Sequence, residues 1–427
     1  MKFQLPKGTF DILPYQAKEP WQETALWHSL EAVIASMAAE YGYSEIRTPM
    51  YEQTELFAKG VGEETDVIGK EMFSFKDRGG RDLSLRPEGT ASTMRAFIEH
   101  HLSQARAGHK LYYMGPMFRY ERPQSGRYRQ FHQFGVEAIG IEDPAQDAEV
   151  IDLSYQIYAR LGLKNLKVKL NSVGDVESRG AYREALVNYF RPHLEQLSAD
   201  SKVRFEKNPL RILDSKDPGD KKLIQHAPSI LTHLSLPAKQ HFQEVCRLLD
   251  LINIPYEIDD RIVRGLDYYV KTVFEITSED LGAQNALGGG GRYDGLLGSL
   301  GGPNLPGVGF ATGIERILQT MIAQGVAQPK RRGPLIYFIP LGEEAKAKCF
   351  ALTALCRRQH LFAEIELHAK KMQNALQNAV RSAAMYAAII GSEELSSNRI
   401  SLKHLETRQT VEISLDHLID HLQGRIL

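Results

Sequence analysis

The chain has 427 residues, 43% hydrophobic and 25% charged, with a formal net charge of -1. That composition excludes a disordered or membrane-embedded class, and the length exceeds one ordinary core and suggests roughly three units. Near-neutral charge supplies no bulk field for nucleic acid, so any RNA contact must come from local clusters, and Cys246, Cys349 and Cys356, an odd number lacking CxxC or Cys/His spacing, support neither a disulfide framework nor a zinc site.

The N-terminal stretch to Thr9 has no apolar signal core, and no run of about 18 apolar residues follows anywhere. With the cysteine usage this predicts a cytoplasmic protein with no membrane partner. From Trp21 to Tyr41, Leu26, Leu30, Val33, Met37 and Tyr41 recur at helical spacing, and Gly42 marks the stop. Tyr43 to Met50 favours an extended strand that Pro49 confines to an edge. Further strands are predicted at Leu111 to Tyr120, Gln130 to Ile141, Lys167 to Asn171, Val270 to Thr277 and Gly307 to Thr312. The fold class is therefore α+β with a mostly antiparallel sheet. Between about Ser172 and Asn253, polar helices broken at Pro192, Pro209, Pro218, Pro228 and Pro237 predict a helical insertion.

Gln328 to Pro334, reading QPKRRGP, has the composition of a linker and divides a body, residues 1–328, from a C-terminal domain, residues 329–427. There the order is strand Leu335 to Ile339, helix Glu343 to His360, strand Ala363 to Leu367, a helix near Met372 to Ser382, strand Met385 to Ile390, shorter strands and a last helix near Leu415. That is a small α/β domain.

No GxxxxGK[ST] is present, so a nucleotide would be held without a P-loop. Two segments carry candidate chemistry. In the first, Met117 to Arg122 and Gln130 to Ile139 form a hairpin around the loop Pro123 to Arg129, with Gly126 at its tip. At period two Arg119 and Glu121 share one face, as do Gln133, Gly135 and Glu137, while Phe134 and Val136 point to the core. A plain solvated hairpin face gives the same pattern. In the second, PGVGFATGIER ends with Arg316 in the first turn of a helix, where the macrodipole disfavours a cation. That position suggests an anionic ligand or a salt bridge to a nearby carboxylate.

Three of these segments resemble, in order, the signature motifs of class II aminoacyl-tRNA synthetases: IRTP at Ile46 to Pro49, FRYE at Phe118 to Glu121 and GIER at Gly313 to Arg316. RGLDYY at Arg264 to Tyr269 and GGRYD at Gly290 to Asp294 resemble the two histidine signatures of histidyl-tRNA synthetases. The resemblance spans essentially the whole chain, including the GTFDILP opening at Gly8 to Pro14. It departs locally at Asn285 to Gly289, where bacterial relatives often carry a cysteine.

The resemblance implies a class II catalytic domain with the helical insertion, a C-terminal anticodon-binding domain and a homodimer built across the Trp21 helix and the Pro49 edge. Its partners are L-histidine, ATP and tRNA(His), with Mg²⁺ on the phosphates through protein ligands that the sequence leaves unknown. Glu88 and Thr90 in RPEGT, with Gln133, would hold the α-amino group. Glu137 and Tyr269 would read the imidazole, and Tyr268 and Tyr293 would close the pocket. Arg119 and Arg264 would contact the α-phosphate as the catalytic pair, Arg316 the γ-phosphate, Phe131 the adenine ring and Glu121 the ATP end. Gln124, Arg127 and Arg129 would meet the tRNA acceptor end, and Lys330, Arg331, Arg332, Lys370 and Lys371 are weaker candidates for RNA backbone contact. The synthetase-like regulatory subunit of ATP phosphoribosyltransferase resembles the same body but typically lacks the C-terminal domain and degrades RGLDYY, whereas both are present here. Class II relatives specific for glycine, threonine or proline fit less well, because RGLDYY and GGRYD argue against them.

Overall fold

The computed structural model describes residues 3–62, 65–122, 126–262, 268–278, 286–326, 333–369 and 371–424. Two compact units result, Met1–Gln328 and Pro329–Leu427, where length alone suggested about three. The helical stretch after Ser172 belongs to the first unit, although Tyr182, Leu186, Phe190 and Ile212 give it an apolar cluster of its own.

The first unit is built on an eight-stranded sheet. Its strands in chain order are β1 (Ser44–Glu45), β2 (His109–Phe118), β3 (Gln130–Ile139), β4 (Leu166–Ser172), β5 (Tyr256–Ile258), β6 (Val270–Ser278), β7 (Ala286–Arg292) and β8 (Gly307–Gly313). They lie in the order β1-β2-β3-β8-β7-β6-β4-β5, with the six central strands antiparallel and the two edge pairings parallel. Alternation fixes the faces. Phe134, Val136 and Ala138 of β3 are fully buried with Leu30 and Ile34 of the Thr24–Glu40 helix and Ile151 and Ile157 of the Pro144–Arg160 helix. Gln133, Gly135 and Glu137 are left on the opposite face.

Local signals explain most boundaries. The first long helix stops at Tyr41, and Gly42 follows at φ 79°, a left-handed conformation that suits glycine. Asp143 caps the Pro144–Arg160 helix by accepting from Ala145 N at 2.8 Å, with proline in the first turn. The prolines of the insertion differ from expectation. Pro192, Pro209, Pro218 and Pro237 each open a helical segment, where a missing N–H costs nothing, instead of breaking one.

Two strand expectations are corrected. Tyr43 to Met50 contributes only Ser44–Glu45 to the edge, because the Thr48 carbonyl is taken by Arg86 Nη1 at 3.1 Å and Pro49 has no N–H to offer. The strand expected to run to Tyr120 ends at Phe118, so Arg119 and Glu121 lie beyond the ladder and not on a shared strand face. β7, reading ALGGGGR, was not among the predicted strands, since glycine runs carry little strand propensity. Its neighbours require them: a Cβ on Gly290 would run into the Gly309 carbonyl, and one on Gly291 into that of Thr272.

The second unit has a five-stranded sheet in the order Ala363–Ile365, Ile336–Pro340, Tyr386–Ile390, Arg399–His404, Thr410–Ser414. The first three strands are parallel and the last two antiparallel to their neighbours. Ile336, Phe338, Ile390, Cys349, Cys356 and Leu418 share its core.

Candidate active site

A cavity of about 440 Å³ opens on the sheet face opposite the long helices. β3 supplies Gln133 and Glu137, β6 supplies Glu275, and Gly288, Gly289 and Gly309 let a ligand approach the backbone of β7 and β8. Glu88 and Thr90 enter from the start of the Thr90–Glu99 helix, and Glu315 and Arg316 from the first turn of the Ile314–Ala323 helix.

One end is acidic and aromatic. Glu88 is buried and accepts from the Thr90 and Ala91 amides at 2.6 and 2.8 Å, so it caps its helix and also faces the cavity. Burial raises its pKa, while those amides and the Arg119 charge oppose the rise. Glu137 is 1% exposed, accepts from the Thr90 hydroxyl at 2.7 Å and is also bonded by the Tyr293 hydroxyl. Burial pushes its pKa up to about 8 against those two donors. Tyr268 packs on Tyr269 and Tyr293 at 4.6 and 5.7 Å. The Gln133 Oε1 is buried with no hydrogen-bond partner among the described residues, an acceptor suited to a donor on a ligand.

The raised pKa of Glu137 makes stability depend on pH. A carboxyl whose folded pKa lies above its unfolded value of 4.5 favours folding in its protonated form, so that contribution is complete below about 4.5 and is lost as pH rises to about 8. Ligand-free Glu137→Gln is expected to show a smaller fall in Tm between pH 5 and 8 than the wild-type chain. Parallel melting profiles over that range would remove Glu137 as the titrating group.

The other end is basic. Arg119 Nε donates to the Pro87 carbonyl at 2.9 Å, and its guanidinium lies 5.4 Å from the Phe131 ring centre. Arg127 meets Glu121 at 3.0 Å. Arg316 Nη1 donates to the Ala286 carbonyl at 2.7 Å, and the salt bridge considered for Arg316 does not form among the described residues. Burial and then the charge of Arg127 lower its pKa, against the pull of Glu121 and Glu275. Three arginines thus converge on one region, with Glu121 and Glu275 beside them, and converging guanidinium groups are donors suited to a polyanion.

Glu88, Thr90, Arg119, Glu121, Arg127, Phe131, Gln133, Glu137, Tyr268, Tyr269, Tyr293 and Arg316 all line this cavity. Arg129 does not: its guanidinium stacks on Tyr120 at 3.8 Å, and its Nε donates to the Glu121 carbonyl at 3.4 Å. Arg264, Gln124, Asn285, Lys330, Arg331, Arg332 and Lys370 lie outside the described residues, and Lys371 is exposed on the second unit.

Three contributors went unread in the sequence. Glu275 is a single carboxylate inside the apolar run of β6, which was the available signal. Glu315, 2% exposed, accepts from both the His132 amide and Nδ1, at 2.8 and 2.9 Å, and pins β3 to the Arg316 helix. The buried Tyr113 ring fills the space that side chains at Gly89 and Gly135 would occupy, behind Glu88 and Glu137.

A histidyl-tRNA synthetase family model matches residues 8–317, and an anticodon binding domain model matches residues 336–425. The histidine–tRNA ligase of Protochlamydia amoebophila (strain UWE25) is 51% identical over 424 residues, covering 99% of this chain and 100% of the relative. That of Bacillus subtilis (strain 168) is 48% identical over 422 residues, 98% of each chain. The crystal structure of apo S. aureus histidyl-tRNA synthetase superposes with a TM-score of 0.83 at 37% identity, covering 99% of this chain and 100% of that one. A full-length match of this kind, joined to one cavity with an acidic and a basic end, leads to one conclusion: the chain belongs to the histidyl-tRNA synthetase family of class II aminoacyl-tRNA synthetases.

Proposed function

We infer that this chain is a histidine–tRNA ligase that works in two steps. The carboxylate of L-histidine attacks the α-phosphorus of ATP and displaces pyrophosphate. A hydroxyl at the 3′ end of tRNA(His) then attacks the histidyl carbonyl and releases AMP. The carrying observation is the polarity of the cavity, with Glu88, Glu137 and the tyrosines at one end and Arg119, Arg127 and Arg316 at the other. An ammonium and a polar ring suit the first end, and a triphosphate suits the second.

In this reading Glu88, Thr90 and the free Gln133 oxygen hold the α-amino group, Glu137 and Tyr269 read the imidazole, and Tyr268 and Tyr293 enclose it. Arg119, with Arg264 from RGLDYY, stabilises charge on the α-phosphate, Arg316 holds the γ-phosphate and Phe131 stacks on adenine. Gln124, Arg127 and Arg129 meet the tRNA acceptor end, Arg127 from beside the phosphate site that it shares with Arg316. Mg²⁺ bound with ATP would neutralise the polyphosphate. Among the described residues no group of three His, Cys, Asp or Glu side chains could hold a metal alone. Glu121 and Glu275 line the cavity beside the arginines, and one or two carboxylates plus phosphate oxygens are what Mg²⁺ accepts. No helix among the described residues is long and apolar enough to cross a membrane, and a cytoplasmic setting follows from the proposed role in translation. Pyrophosphate exchange measured with each amino acid in turn tests the reading: exchange is expected with histidine, and exchange driven only by glycine, threonine or proline would overturn it.

The β1 edge and the nearby exposed side chains Met50, Tyr51 and Phe75 support a homodimer, since an open edge with apolar flanks favours pairing. Sedimentation at micromolar concentration is expected to give a dimer, and a stable active monomer would contradict it. The second unit is assigned to the anticodon region of the tRNA. A chain ending at Gln328, checked for folding and assembly, is expected to keep histidine-dependent pyrophosphate exchange and to lose much of its efficiency in charging tRNA. Undiminished charging would remove the second unit from RNA recognition.

A further inference from the structure

The proposed reaction gives no role to the opening GTFDILP segment, Gly8 to Pro14. In the fold it lies against the loop that carries Arg127. Gly8 has φ 87°, and the turn there is closed by Thr9, whose amide and hydroxyl donate to the Pro6 carbonyl at 3.2 and 2.8 Å. The Gly8 carbonyl accepts from the Arg129 amide at 2.7 Å. Two residues on, the Phe10 ring meets Tyr128 edge-on at 4.9 Å and Trp21 at 4.8 Å, and Trp21 lies 5.6 Å from Tyr128. Tyr128 lines the cavity, and its hydroxyl accepts from Gln319 Nε2 at 3.0 Å, on the helix that carries Arg316.

We propose that Gly8 and Phe10 form a latch that holds residues 126–129, and Arg127 with them, over the basic end of the cavity. Phe10 and Tyr128 are then positioning residues for ATP binding and do not touch the reacting atoms. The segment is built to release. Residues Phe3 to Lys7 are exposed, and Phe10 and Ile12 are what the opening stretch packs against the main core. A segment with so few buried apolar groups opens locally at small free-energy cost. Opening admits the nucleotide, and a polyphosphate that binds Arg127 only in the closed form shifts the latch shut by its differential affinity. The inference rests on the reading that the basic end takes ATP.

The chain has two tryptophans, Trp21 and Trp27, and both lie beside Phe10, at 4.8 and 6.3 Å, so intrinsic fluorescence reports on the latch. In the full-length protein, ATP without histidine is expected to change tryptophan fluorescence saturably. Phe10→Ala is expected to remove most of that change and to raise the KM for ATP in pyrophosphate exchange roughly fivefold to tenfold, as the loss of its edge-on contacts with Tyr128 and Trp21 implies. The KM for histidine should stay within about twofold, and Phe10→Tyr, which keeps the ring, should restore the ATP value. Tyr128→Leu removes the ring that Phe10 holds and is expected to raise the ATP KM by a factor similar to that for Phe10→Ala; it decides the matter alone if Phe10→Ala fails to fold. A wild-type fluorescence insensitive to ATP, or an unchanged ATP KM in both variants, overturns the latch and leaves the ATP reading standing. An equal rise in both KM values marks a purely structural role and overturns it too. Wild-type protein without histidine-dependent exchange overturns the ATP reading and the latch together.

Discussion

Arg119→Ala is expected to lower histidyl-adenylate formation by roughly 10²–10³ while leaving ATP and histidine affinities within a few-fold. The guanidinium is fixed before any substrate arrives, through Nε on the Pro87 carbonyl and the Phe131 ring beneath it. A donor held in place stabilises charge that grows on the phosphate during attack without reorganising at that moment. Its removal therefore acts on the transition state more than on the bound substrates. Single-turnover adenylation measures this directly, and a rate within about threefold of wild type would take Arg119 out of the mechanism.

Glu137→Ala is expected to raise the KM for histidine by about 30-fold or more, with the KM for ATP nearly unchanged. Glu137 is buried, and its two hydroxyl partners, Thr90 and Tyr293, are themselves buried. Truncation leaves those hydroxyls and the substrate ring facing a dry gap, so the cost is the desolvation of several polar groups and not one hydrogen bond. The same logic predicts selection without editing, because a pocket built to bond a polar ring rejects analogues lacking it by about 10⁴–10⁵. Steady-state pyrophosphate exchange with histidine and ATP varied separately checks the split. Equal effects on the two KM values would remove the imidazole assignment.

Sequence alone determined what depends on neighbours along the chain. The period of two on β3 put Gln133 and Glu137 on one face and Phe134 and Val136 in the core, because successive strand residues alternate whatever surrounds them. The helix from Thr24 to Glu40, its stop at Gly42 and the order of elements after Pro334 follow from spacing and turn chemistry in the same way. The family resemblance named twelve residues that line the cavity, eight of them inside the quoted motifs, since signature positions encode a site that local pattern cannot.

Tertiary structure decided what depends on distant neighbours. β7 is a strand because β6 and β8 leave room for backbone alone, a demand that overrides the poor propensity of four glycines. Arg119, read on a strand face, and Arg129, read in the loop, both lie beyond the paired strands or at their end, and it is the Pro87 carbonyl that keeps Arg119 at the cavity while Arg129 stacks on the Tyr120 ring. Glu275 and Glu315 carry no assigned role in the sequence, and it is β6 and the Ile314–Ala323 helix that set them beside Arg316 and His132. Arg292 is fully buried 145 residues along the chain from Asp147, whose carboxylate its Nε meets at 3.0 Å behind Tyr293. Such a pair is stable in a dry interior only because both partners are present, and no spacing rule links residues that meet solely through the packing of a helix on a sheet.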